Sequence, residues 1–406
     1  MYEKLNAASH HHAVKKLGYA QQWIFDLPLL ISHEKFDETN TLHGIFYKLI
    51  TCFVNNYPQY EYLLPIAEKT SKILAFWHER PYSPGTFRTD FVLDDTGAFR
   101  PIEITCRFAL NGFFTNKIME IRSKNTLFDV EENDVQNPYD DFLRYFYKKI
   151  EKKGRILLLK DTEDRNESEH FLPIFDQVMI PVVIRNISEI NENHDDLDDF
   201  FIINELNFDE LHSLSLETHK ALAKSGVLND FRTIFLIHDK QFFSAICSPE
   251  LQQHALNEEE LSFFKSVVIP TYNYHQATDI WFDARKNKAN WVLKHRVLGK
   301  SESVFAGLVT EQQEWEDLFK RQDIDEFILQ QWINQKTIKG TINGQPYNDY
   351  LTGTLLFFNQ HNFGFAVFRT SSFPVTNKVD DRKYAGVILK DGKTEAYQNL
   401  NNIKVF

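Results

Sequence analysis

The sequence predicts a mixed protein, part doubly wound α/β and part α+β. A strand, a tight turn and a second strand stand among helical segments near the N-terminus, strands alternate with helices between residues 155 and 203, and an α+β pattern takes over from about Glu258. At 406 residues the chain exceeds the length at which a single hydrophobic core stops growing, so two or three packed subdomains are expected. Charged or polar connectors near residues 153 and 260 divide it into regions 1–153, 154–260 and 261–406.

The first region reads as helices on both sides of a hairpin. Phe87 to Leu93 alternates as a strand, Asp94-Asp95-Thr96-Gly97 supplies turn residues, and Phe99 to Thr105 returns as the partner strand. Beyond Glu151-Lys152-Lys153-Gly154, the run Arg155 to Lys160 has the apolar continuity of a buried parallel strand, followed by Val178 to Ile184 and Phe200 to Ile203. The acidic stretch from Glu189 to Asp199 is expected to be a solvated loop. In the last region strands are expected at Trp291 to Lys294, Phe327 to Ile333, Thr354 to Phe358 and Phe363 to Arg369.

Composition narrows the function classes. Hydrophobic residues at 43% and charged residues at 25% are ordinary for a globular protein and give no case for disorder. A formal net charge of −12 opposes a non-specific grip on nucleic acid, which runs on cations that displace counterions from phosphates. A local basic pocket for nucleotide phosphates is compatible with that balance. The 36 phenylalanines can line a cavity, but core packing is the plainer expectation. Cys52, Cys106 and Cys247 form no CxxC pair and suit a reducing compartment. The first thirty residues lack a secretory pattern and no run of about 18 apolar residues occurs, so a cytoplasmic protein with no membrane segment is expected. His10, His11 and His12 are adjacent and cannot all face one ion, so a mobile tail is expected there.

Several groups can carry chemistry. Arg88 and Asp90 stand two apart on one strand and share a face, as do Glu103 and Thr105 on its partner. Facing carboxylates at this spacing suit Mg²⁺, although a surface ribbon with an Arg–Glu cross-strand pair uses the same residues. The run Trp291 to Val304 is a strand ending in Lys294 and Arg296 ahead of a loop with Gly299, Lys300 and Ser301, which can lie over phosphates or be a plain basic edge. It lacks the GxxxxGK[ST] of a P-loop. Gln330 and Gln331 are adjacent amides within the apolar strand Phe327 to Ile333 and can read an adenine edge or serve the strand itself. Arg369, at the end of another strand, is placed for a phosphate, a substrate carboxylate or a structural pair. Cys106 follows Thr105 but alternates away from Glu103, as a buried inert thiol would.

In this order the segments resemble the circularly permuted ATP-grasp enzymes, the group that includes glutathionylspermidine synthetase. That group carries R-x-D, a turn and E-x-N ahead of its nucleotide loop. The matching residues here are Arg88-Thr89-Asp90, Asp95-Thr96-Gly97 and Glu103-Ile104-Thr105. Trp291 to Arg296 is similar to its W-V-L-K-P-R strand, Trp315 to its spacer helix and Ile328-Leu329-Gln330-Gln331 to its I-V-Q-E hinge. Arg369 and Asn377 resemble its R-x-S and V-x-N positions, and Asp239-Lys240 its D-K step. Two positions depart from the pattern: Thr105 stands where Asn is expected, and the loop has Gly299 alone with Glu302 nearby.

The resemblance implies a permuted ATP-grasp fold with a small pre-ATP-grasp-like α/β subdomain, ATP and Mg²⁺ as cofactors, and a small-molecule or peptide carboxylate joined to an amine through an acyl phosphate. It implies that Asp90, Glu103 and Thr105 hold Mg²⁺, and that Lys240, Lys294, Arg296, Gly299, Lys300 and Ser301 serve the phosphates. Gln330 and Gln331 would meet adenine, largely through backbone, and Arg88 and Arg369 would face the transferred group. The alternative implied by Thr105 and the glycine-poor loop is a relative that binds nucleotide or peptide without turnover. Glutathione and spermidine do not follow from the resemblance, because function belongs to sites and not to folds.

Overall fold

The computed structural model describes the chain apart from residues 127–130, 132–133, 163–166, 300, 377, 399–403 and 406. The helix Tyr2–Ala20 opens the chain, and β1 (Leu29–Ile31) precedes a long helix, His33–Asn55. Ser32 caps that helix by accepting from the Lys35 amide, and Leu42, Ile45, Phe46, Leu49, Ile50 and Phe53 recur at helical spacing on its buried side. The hairpin follows as β2 (Thr86–Leu93) and β3 (Phe99–Thr105). Asp94 closes its turn by accepting from the Thr96 and Ala98 amides, which the Asp-x-x-Gly sequence foreshadows.

Next come the helices Phe113–Thr126 and Pro138–Ile150. Asn137 and Pro138 start the second, and Phe142 stacks on Phe113 with ring centroids 3.8 Å apart. The α/β unit consists of β4 (Ile156–Leu159), β5 (Val182–Arg185) and β6 (Phe201–Asn204), all parallel in the order β5-β4-β6, with the helices Ser168–Gln177 and Ile187–Glu192 in the connections. The expected middle strand begins later than Val178, because Met179 turns the chain at φ 60° after the helix. As the outer strand of three, β5 leaves Val183 and Ile184 exposed. The expected acidic loop is partly helical, because Asn186 and Glu189 form a capping box and Asp196 pairs with Arg185 at 2.7 Å.

The remaining strands are β7 (Thr271–Asn273), β8 (Trp291–His295), β9 (Val304–Ala306), β10 (Phe327–Gln331), β11 (Thr337–Ile342), β12 (Gln345–Phe358), β13 (His361–Ser371), β14 (Arg382–Tyr384), β15 (Gly386–Ile388) and β16 (Lys404–Val405). An antiparallel sheet runs β7-β10-β8-β9, and a six-stranded sheet runs β14-β13-β12-β2-β3 with β11 on β12. The N-terminal ribbon and the C-terminal strands therefore share one sheet. Gly353 permits that union: a Cβ there would come within 2.1 Å of the Phe91 ring.

Phenylalanine fills the cores. Phe91 meets Phe99, Phe365 and Phe368 edge-on, within one large cluster that joins the long helix, the six-stranded sheet and the segment 231–246. The histidine triplet is not a free tail: it lies in the first helix, anchored by Leu5, Ala8, Ala13 and Leu17, with the His12 ring against Phe114 and His170. Among the described residues no helix is long and apolar enough to cross a membrane. The three cysteines are free, and Cys106 is buried, its thiol pushed well up by that burial.

Candidate active site

A cavity of about 400 Å³ is lined by residues of the six-stranded sheet, of the β7-β10-β8-β9 sheet and of the loop after β8. Its floor follows from strand alternation and register. Arg88 and Asp90 of β2 point to one face, and Asp90 stands opposite Glu103 of β3 on one side and Thr354 of β12 on the other. The Thr354 hydroxyl donates to Asp90 Oδ1 at 2.9 Å, which fixes that buried carboxylate. Arg88 Nε lies 3.6 Å from the same oxygen, beyond hydrogen-bond reach, and has no hydrogen-bond partner although it is buried. Farther across the floor Thr352 is opposite Arg369, and Arg369 is opposite Lys383.

Between Asp90 and Phe91 the β2–β3 register shifts, so that Phe91 faces Pro101 and Ile102 is the extra residue. Pro101 has no amide proton and tolerates this site on an edge strand. The Ile102 carbonyl accepts from Lys294 Nζ at 3.2 Å, which joins the floor to the opposing sheet.

The opposing wall comes from β8, β10 and the turn at 239–240. Lys294 is buried and also donates to Gln330 Oε1 at 2.7 Å. Burial lowers its ammonium to about 8, partly opposed by the nearby Glu103 carboxylate. Lys240 Nζ donates to the Leu298 carbonyl at 2.7 Å and stands 3.8 Å from Glu103 Oε2. The loop after β8 is held by this bond and by Ser301 Oγ, which donates to the Thr376 carbonyl at 2.7 Å. Ser301 and Ser303 adopt φ of 60° and 52°, so serine takes left-handed positions in a loop with few glycines.

The cavity thus gathers Arg88, Asp90, Glu103, Lys240, Lys294, Gly299, Ser301, Gln330, Gln331 and Arg369. Two described residues given a metal or phosphate role by the resemblance do not line it. Arg296 is not on the Lys294 face, because β8 ends at His295; its guanidinium holds Asp239 at 2.5 Å and its carbonyl accepts from the Lys240 amide. Thr105 pairs in register with Arg88, one step past the two carboxylates, at the end of β3. Lys300 and Asn377 lie outside the described residues. Among the described residues, neither Glu302 nor any phenylalanine lines it.

The lining carries Arg88, Lys240, Lys294, Arg369 and Lys383 against Asp90, Glu103, Glu167 and Asp381, a cationic excess within a chain of net charge −12. Among the described residues no group of three or more His, Cys, Asp or Glu side chains is arranged to hold a metal. Asp90 and Glu103 nonetheless fit a hard cation that takes its other oxygens from phosphate and water.

Of the comparisons with known proteins, the one with solved structures bears on the fold. Residues 42–236, just under half of the chain, match the family model described as AnkG N-terminal domain. Among solved structures, a glutathione synthetase-like effector from Globodera pallida in its apo form aligns with a TM-score of 0.55 and 12% identity, over 95% of this chain and 96% of that one. The chain therefore has the mixed α/β fold of that protein, in keeping with the ATP-grasp-like fold expected from the motifs. At such identity the likeness speaks to fold alone. No curated protein matches the chain.

Sequence reasoning missed several lining residues. Thr352 and Thr354, two apart, were open to the same alternation argument as Arg88 and Asp90, but their pairing with a ribbon some 260 residues earlier leaves no local signal. Lys383 lies on a three-residue strand, too short for any periodicity. Glu167 accepts from the Phe114 and Thr115 amides at 3.0 and 3.3 Å and from the Thr115 hydroxyl, a cap contributed from a distant loop.

Proposed function

We propose that the chain is a Mg²⁺-dependent, ADP-forming carboxylate–amine ligase of permuted ATP-grasp organisation, in which a substrate carboxylate is phosphorylated by ATP and the acyl phosphate is then taken by an amine. The observation that carries this reading is the convergence on one cavity of ten motif residues from segments spread between positions 88 and 369. Surface ribbons and basic edges give no reason for such a meeting.

The roles follow from charge and position. Asp90 and Glu103 would hold Mg²⁺, which would screen phosphate charge and polarise the transferred group when bound. Lys240 and Lys294 hold α- and β-phosphate oxygens. Arg88 and Arg369 meet the negative charge that builds on the transferring phosphoryl group and on the tetrahedral adduct. The loop from Gly299 to Val304, pinned through Leu298 and Ser301, keeps water from the acyl phosphate. The regions 1–153, 154–260 and 261–406 are read as the permuted part, the pre-ATP-grasp-like unit and the nucleotide-binding part. Three free cysteines support a reducing, cytoplasmic setting.

Incubation with Mg²⁺, ATP and a panel of amino acids, peptides and amines, the carboxylates labelled with ¹⁸O, is expected to release ADP and to move one ¹⁸O into inorganic phosphate. Release of ADP without that transfer would rule out an acyl phosphate. The position of Thr105 outside the cavity favours a second reading, nucleotide binding without turnover. Tight Mg·ATP binding with no ADP release for any pair of substrates would select it.

Lys294 also gives a pH dependence. Its ammonium is lost as pH rises through about 8, so affinity for ATP is expected to be flat below that point and to fall above it. Calorimetric titration between about pH 6 and about pH 10 checks this, and affinity unchanged across that range would remove Lys294 from the phosphate contacts.

A further inference from the structure

The Gln330 side chain, which by sequence can read an adenine edge or serve its own strand, is already committed inside the protein. Its Oε1 accepts from Lys294 Nζ at 2.7 Å, and its Nε2 donates to Thr271 Oγ1 at 3.0 Å. The Thr271 hydroxyl in turn donates to the Ile269 carbonyl at 3.0 Å. A hydroxyl has one proton, so Thr271 can offer Gln330 only an acceptor, and this fixes which end of the amide faces the lysine. The relay crosses three neighbouring strands, β7, β10 and β8, and each of its side chains is at most 6% exposed. With the Ile102 carbonyl as its other partner, the ammonium has two protons bound within the protein and one left for the cavity it lines.

We propose that Gln330 and Thr271 are positioning residues that hold the Lys294 ammonium at one point of the cavity for a nucleotide phosphate, and that the Gln330 amide takes no part in choosing the base. The inference rests on the cavity being the nucleotide site. A free lysine chain has four rotatable bonds, and ordering it beforehand removes an entropic cost from phosphate binding.

Calorimetry of the full chain with Mg²⁺ and either ATP or GTP tests the inference. Gln330→Leu is expected to weaken ATP about tenfold, as for a lost hydrogen bond to a charged group. Lys294→Met is expected to weaken it at least as much, and the double variant no further than Lys294→Met alone. The ratio of ATP to GTP affinity stays constant throughout. Thr271→Val, a near-isosteric change, carries the same cycle with a loss of a few-fold should the leucine variant fail to fold. Losses that add in the cycle, or a shifted ATP to GTP ratio, overturn the positioning role while leaving nucleotide binding in place. An unmodified chain that binds neither nucleotide overturns the nucleotide reading and this inference together.

Discussion

Glu103→Ala is expected to abolish ATP turnover, by about 10³-fold or more, while the protein still folds. Opposite Asp90 in the ribbon, Glu103 supplies one of the two carboxylates read as holding Mg²⁺. A site with two protein carboxylates has none in reserve, and loss of the ion would forfeit several kcal/mol of charge stabilisation in phosphoryl transfer. The fold should tolerate the change, because the nearest cation, Lys240 Nζ at 3.8 Å, keeps its bond to the Leu298 carbonyl. ADP release measured alongside a thermal melt separates the effects. A folded variant that turns over ATP at the parent's rate would remove Glu103 from the site.

Arg88→Lys is the second large effect, expected to lower kcat by about 10²-fold. Arg88 has the reach and the free geometry for it: its Nε makes no hydrogen bond, and Asp90 sits close enough to steer the guanidinium without taking it up. A planar fork can grip two oxygens of a transferring phosphoryl group at once, which an ammonium cannot copy. Because both residues are cationic, attraction for ATP should change much less than the rate, so the loss is expected in kcat and not in KM. A loss under about tenfold would contradict the role.

The elements legible in the sequence were those whose signal is local. Alternation in Phe87–Leu93 and Phe99–Thr105, with Asp94 and Gly97 between them, announced the hairpin and the shared face of Arg88 and Asp90. The apolar run around Ile156–Leu159 announced a parallel strand. What local pattern could not reveal was how a strand ends or what lies across from it. Lys294 and Arg296 have the spacing of neighbours on a face, but β8 stops at His295 and Arg296 turns to Asp239. Gln330 resembled a base reader because nothing nearby in sequence hints that Thr271 and Lys294 flank it. The histidine triplet looked like a tail because the apolar spacing of Leu5, Ala8, Ala13 and Leu17 is weak and its covering surface comes from residues beyond 110.

The union of the early ribbon with β12 also governs how the molecule is made. Asp90 and its hydroxyl donor Thr354 are 264 positions apart, so a nascent chain that has finished the hairpin must wait through most of translation before the neighbouring strand exists. Until then β2 presents an open edge with unpaired backbone groups. The strands of the α/β unit, whose pairing partners all lie between residues 156 and 204, can pair long before. Fragments released early should therefore contain an ordered middle and a sticky beginning, and chaperone demand should fall on the ribbon.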